Sequence, residues 1–158
     1  MSQLDFNFAK LNPLPDHVEM IEAMLDGLYE RAKVVCDRYW SERMTRESDS
    51  TTVKSIVGSR IRRSDSGGVS CDWYYNDFKR SSDSTRKFFS KPISLKRDDS
   101  SEVNMRELKS KTKQWEFPLV VYTETEYVQI RRLSKQLVDL KRRTRAISEH
   151  YEKFLHKI

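Results

Sequence analysis

The chain has 158 residues, 37% of them hydrophobic and 34% charged, with only four glycines and four prolines. That length buries one modest core, and the charge-rich, turn-poor composition argues against an all-β protein and for long exposed helices. Thirty basic against 24 acidic side chains leave a net charge of +6, a balance that attracts anionic partners such as nucleic acid without naming one.

The charge is uneven along the chain. Residues 1–40 carry four basic and seven acidic side chains, residues 41–101 carry thirteen and nine, and residues 128–158 carry nine and three. Positive charge therefore gathers in the middle and at the C-terminus.

Residues 1–15 contain Phe6, Phe8, Leu11 and Leu14 with Pro13 and Pro15, but keep no period. They read as an extended arm ahead of a single domain over 16–158. The first helix is expected from Asp16 to about Met44, with Asp16 and Glu19 spaced as a capping box. Val18, Ile21, Leu25, Leu28, Ala32, Val35 and Tyr39 form its apolar stripe, and Glu22, Asp26, Glu30, Lys33 and Asp37 make its outer face acidic on balance.

After a polar loop the period drops to two. Val53 to Arg62 and Val69 to Asn76 alternate as two strands of a hairpin, joined by a turn at Asp65-Ser66-Gly67-Gly68. A weaker third strand is predicted over Arg86–Lys96, at a sheet edge because Pro92 cannot donate to a ladder. Trp73, Tyr74, Tyr75 and Phe78 beside Lys79 and Arg80 have the composition of a platform for stacking bases. Trp73 and Tyr75 share a face with Val69 and Cys71, which favours core packing for that pair and leaves Tyr74 the better candidate for exposure.

Helical spacing returns at Met105, Leu108, Thr112 and Trp115, with Asp99 and Glu102 as a possible capping box. Pro118 predicts either a break near Glu116 and Phe117 or a kink. A long helix follows to about His156. Its stripe is Ile130, Leu133, Leu137, Leu140, Thr144, Ile147, Tyr151 and Phe154, expected to be hidden against the first helix. Beside that stripe stand Arg131, Arg132, Lys135, Lys141, Arg142, Arg143 and Arg145, guanidinium-rich and suited to phosphate oxygens. Arg62 and Arg63, with Arg60, Lys79 and Arg80, extend the cationic surface from the sheet. A solvated helix face accounts equally well for the run at 141–145.

None of GxxxxGK[ST], GxGxxG, HExxH, CxxC or GxSxG occurs. His17, His150 and His156 are spaced as ordinary surface residues, so no metal, cofactor or catalytic residue is expected. No segment approaches the roughly 20 apolar residues of a membrane helix, and the N-terminus lacks a charged start followed by an apolar run. The expected location is the cytoplasm, with no membrane partner and with Cys36 and Cys71 as buried free thiols.

Taken in order, the acidic helix ending in Tyr39-Trp40, the strand region with Trp73-Tyr74-Tyr75, the isolated Trp115, and Glu126 followed by Ile130-Arg131-Arg132 opening a long basic helix resemble the MobI proteins of integrative and conjugative elements and related plasmids. The resemblance implies an auxiliary factor for conjugative DNA transfer, acting at the origin of transfer beside a relaxase that supplies the nicking chemistry. It marks Trp115, Arg131 and Arg132 as positions that matter and brings no catalytic set.

The expected fold is α+β: a long N-terminal helix, a three-stranded antiparallel sheet, then a kinked or broken C-terminal helix packing on the first. The expected function is non-enzymatic DNA binding, with Arg131, Arg132, Lys135, Lys141, Arg142, Arg143, Arg145, Arg62 and Arg63 meeting the phosphate backbone of duplex DNA. A relaxase is a candidate protein partner, and the matched helical periods also allow a homodimer. The alternative is an adaptor whose basic helix docks on an acidic protein.

Overall fold

The computed structural model describes residues 12–80 and 86–157. Residues 1–11 of the expected arm therefore lie outside the described residues, while Leu14 and Pro15 already belong to the first helix, α1 (Leu14–Glu47). Asp16 is not its cap. Pro15 suits a first turn, where its missing N–H would have no partner anyway, and Asn12 Oδ1 accepts from Leu14 N at 3.1 Å just ahead of it. Asp16 instead sits in the first turn, next to the positive end of the helix dipole. The inner face of α1 buries Ile21, Leu25, Ala32, Val35, Cys36 and Tyr39, nearly the stripe that its spacing predicts.

Three strands follow, β1 (Val57–Arg63), β2 (Val69–Arg80) and β3 (Arg86–Ile93), paired antiparallel in the order β1-β2-β3. Gly67 turns the first hairpin at φ 87°, a left-handed conformation that glycine adopts without Cβ strain. Gly58 lies opposite Tyr74, and an added Cβ there would meet the Tyr74 ring at 2.4 Å, so the missing side chain makes room for the ring. β3 is an edge strand, as Pro92 requires.

The chain between β3 and the next helix is held by a Leu95–Val103 bridge. Asp99 and Glu102 form no capping box: Asp99 accepts from Lys135 and Glu102 pairs with Lys96, and Asn104 caps α2 (Met105–Lys111) by accepting from Glu107 N at 3.3 Å. Pro118 breaks rather than kinks the helical run: α3 (Phe117–Leu155) starts afresh with the proline in its first turn. α3 runs antiparallel to α1, as the contacts Arg31–Glu126, Tyr39–Glu116 and Glu22–Arg145 show.

The core lies between both long helices and the sheet. Trp73 is its largest buried side chain; Tyr39 meets it edge-on at 5.0 Å between ring centroids, and Tyr127 flanks it at 5.7 Å. Such edge-to-face pairs add to plain area burial. Tyr39 donates its hydroxyl to the buried Glu116 Oε1 at 2.6 Å. Burial first, then the Glu116 charge, pushes that hydroxyl far above the ordinary tyrosine range, so it remains a donor. Glu116 Oε2 has no partner among the described residues. Tyr39→Phe should therefore cost about 1–3 kcal/mol in a urea titration, because it strips the carboxylate's hydroxyl donor without opening a large cavity.

Both cysteines are free and buried, as expected. Burial pushes the Cys71 thiol up to about 12, so at pH 8 it is not a thiolate. Ellman's reagent is expected to leave Cys71 of the folded chain unreacted and to label it after denaturation.

Candidate nucleic-acid interface

The cations of α3 fall into two sets with different physical roles. Arg131 belongs to the interior: its side chain and that of Glu124 are only 7% and 6% exposed. Its guanidinium meets Glu124 in a two-pronged pair at 2.8 and 3.0 Å, gives two further bonds to Cys71 O at 2.9 and 2.8 Å, and one to Ser101 O at 2.8 Å. All five N–H donors are thereby used. Glu124 also accepts from Trp73 Nε1 at 2.8 Å and Val103 N at 3.0 Å. The assignment of Arg131 to phosphate contact is therefore corrected: it ties α3 to β2 and to the loop before α2.

Lys141 is also inward, its side chain 8% exposed; it faces Glu22 at 3.6 Å and donates to Ser66 O in the β1–β2 turn. The remaining cations lie on the outside. Arg132 bonds Ser100 O at 2.9 Å and approaches Glu102 at 3.6 Å. Lys135 bonds Asp99 at 2.9 Å, a contact that raises its ammonium above the usual lysine range through the hydrogen bond first and the charge second. Arg142 reaches Asp139 at 3.2 Å, and Arg145 reaches Glu22 on α1 at 2.7 Å. Arg143 is exposed and has no ion pair among the described residues. On the sheet, Arg62 pairs with Asp72 at 2.7 Å and Arg63 with Asp26 of α1.

Most of the outer cations thus have a carboxylate neighbour, yet these pairs are exposed, and exposed pairs are worth about 0–1 kcal/mol. Arg142 is the extreme case at 77% side-chain exposure, held only by a residue one turn away. A phosphate that accepts two parallel bonds competes readily with such a contact. The outer set of α3, namely Arg132, Lys135, Arg142, Arg143 and Arg145, remains available to an anion. Arg131 does not.

Sequence reading passed over residues 106–113, which carry Arg106, Lys109, Lys111 and Lys113 against Glu107 alone. Lys109 and Lys111 lie over the rings of Phe117 and Tyr75 at 5.2 and 4.5 Å, and none of the four has an ion pair among the described residues. Over residues 102–127 four basic side chains stand against five acidic ones, but two of those acids, Glu116 and Glu124, are buried. Counting only surface acids would have revealed the cluster.

The expected apolar seam of α3 also needs correction. Ile130, Leu137 and Thr144 are buried, but Leu133, Leu140, Ile147, Tyr151 and Phe154 are exposed. The face against α1 and the sheet is Val120, Thr123, Tyr127, Ile130, Ser134, Leu137, Thr144 and Ser148. Small hydroxyl residues there bond across the seam: Ser134 Oγ accepts from Val69 N at 2.7 Å, and Asn12 donates to Ser148 Oγ at 2.8 Å. Trp115, marked by the family resemblance, joins the break between α2 and α3 to the segment before β1 through Nε1 to Val53 O at 2.9 Å.

A family model described as MobI protein matches residues 28–145, a span from the middle of α1 to the basic run of α3. The chain belongs to the MobI family. Membership gives this MobI-family protein a role in conjugative mobilisation, and the matched span contains Arg131, Glu124, Trp73 and Tyr39, the residues that lock the core. Neither a curated protein nor a solved structure matches the chain. Among the described residues, no helix is long and apolar enough to cross a membrane.

Proposed function

We infer that the chain is a non-enzymatic DNA-binding accessory factor of conjugative transfer, active in the cytoplasm at the origin of transfer beside a separate relaxase. One observation carries the reading: in a family with a role in conjugative mobilisation, the outer face of α3 presents Arg132, Lys135, Arg142 and Arg145 held only by exposed, replaceable contacts, with Arg143 exposed beside them. The inner cations Arg131 and Lys141 set the helix on the sheet and on α1, so the outer ones project from a fixed rod. Phosphate contacts of this type give affinity and position, with no choice of sequence by themselves. Gel-shift titration should show binding both to a duplex carrying the origin of transfer and to a random duplex of equal length. No shift with either at low salt would discard the reading.

A second reading rests on a separate observation. Leu133, Leu140, Ile147 and Phe154 recur every seven residues and lie exposed along α3, a stripe of the sort that pairs helices. It supports an adaptor docked on a protein, or a homodimer. Retention of a partner after complete nuclease digestion, with no DNA bound by the purified chain, would favour this reading over the first.

A further inference from the structure

β2 and β3 continue past the end of β1. β1 pairs with β2 only from Val69 to Tyr75, whereas β2 and β3 pair out to Arg80 and Arg86. Beyond Asn76, whose N–H still bonds Ile56 O at 2.9 Å, the sheet narrows to a two-stranded ribbon. Its register sets Phe78 opposite Phe88, Lys79 opposite Lys87 and Arg80 opposite Arg86. Directly opposed like charges disfavour a ribbon standing alone, and two successive such pairs lie at this end.

The ribbon's aromatic residues have no core to cover. Phe78 and Phe88 are 58% and 64% exposed. Their ring centroids are 6.4 Å apart and their planes are inclined by 48°, so the rings are not stacked on one another and each keeps a face for a ligand. Exposed phenyl pairs are costly in water unless something planar and apolar covers them. By strand alternation the positions of Arg80 and Arg86 share the phenyl face and those of Lys79 and Lys87 take the other, so the register positions that follow the rings are cationic and favour an anion. A polymer with flat bases and a phosphate backbone meets both demands.

We propose that the β2–β3 ribbon is a binding site for single-stranded DNA, with Phe78 and Phe88 stacking unpaired bases and the cationic register positions 80 and 86, on the same face of the ribbon, adding attraction for the phosphate backbone. Bases inside a duplex are already stacked on their neighbours, so an unpaired strand gains more from free phenyl faces. Lys91, paired with Asp77 at 2.5 Å, holds the base of the ribbon. This site is separate from the outer face of α3. It rests on the reading of the chain as a DNA-binding protein and extends that reading to the unpaired strand.

The test uses the full chain and a fluorescein-labelled oligothymidylate of about 16 nucleotides, which has no duplex of its own, followed by anisotropy. Phe78→Ala with Phe88→Ala should weaken binding at least about tenfold, as loss of two stacked bases implies, and should leave affinity for a blunt duplex unchanged. Both residues are exposed, so the variant folds, and circular dichroism verifies it. Duplex binding by the native chain with no oligothymidylate binding, or with oligothymidylate binding that the double variant leaves intact, overturns the ribbon assignment alone. Failure to bind either probe overturns the DNA reading together with it. Loss, in the double variant, of a protein partner that survives nuclease digestion would assign the ribbon to that protein and likewise overturn the proposal.

Discussion

Arg131→Ala is expected to destabilise the chain by about 3–5 kcal/mol, because it leaves Glu124 charged and buried without its cation. For a domain of this size that corresponds to a fall in Tm of about 6–20 °C, measurable by circular dichroism. Three acceptors lose the guanidinium at once: the Glu124 carboxylate, which keeps only its neutral donors, the buried Cys71 O and the part-buried Ser101 O. Replacing a buried ion pair by apolar groups is often harmless, but here Arg131→Met with Glu124→Leu should recover only part of the loss. Trp73 Nε1 and Val103 N would still have no acceptor. At temperatures where Arg131→Ala is folded, its affinity for duplex DNA should equal that of the native chain. A variant that keeps its Tm and loses DNA would instead put Arg131 at the interface.

The second large effect concerns the outer face. Arg142→Ala, Arg143→Ala and Arg145→Ala together should lower duplex affinity about a hundredfold at 0.15 M salt, since each phosphate contact contributes about 0.9 to the logarithmic salt slope. The slope itself should flatten by about 2.7. Stability should change little, because the contacts removed are the exposed pairs with Asp139 and Glu22, and Lys141 stays beside Glu22. Unchanged affinity in the triple variant would remove this face of α3 from the interface.

Much of the fold was legible in the residues, for reasons that also explain the errors. α1 shows a stripe of large aliphatic and aromatic residues because it faces the sheet's bulky side chains, and periodicity reads size well. On α3, the same periodicity places Ile130, Leu137 and Thr144 correctly but also selects Leu133, Leu140, Ile147 and Phe154, which are exposed, and omits the buried Ser134 and Ser148. Ser134 and Ser148 are buried with their hydroxyls bonded across the seam while larger residues stay outside, so apolar size misplaces part of it. Pro118 located a discontinuity correctly, and the extended Thr112 that ends α2 makes it a break.

The candidate site was legible in composition but not in role. A guanidinium two residues from another looks the same in a string of letters whether it points inward or out; Arg131 and Arg132 are adjacent, yet one is interior and the other exposed. Trp73 is core, as its alternation with Val69 and Cys71 predicts, but Tyr74 is half-buried and the exposed ring of the platform is Phe78. Its partner Phe88 came from the strand with the weakest pattern, and only the register brings the two rings together.

The most direct measurement is the affinity of the native chain for a labelled origin-of-transfer duplex across a series of salt concentrations. Log affinity should fall linearly with log salt, with a slope of at least about 3 in magnitude for the contacts of the outer α3 face. Absence of binding at the lowest salt, or an affinity indifferent to salt, would contradict the account.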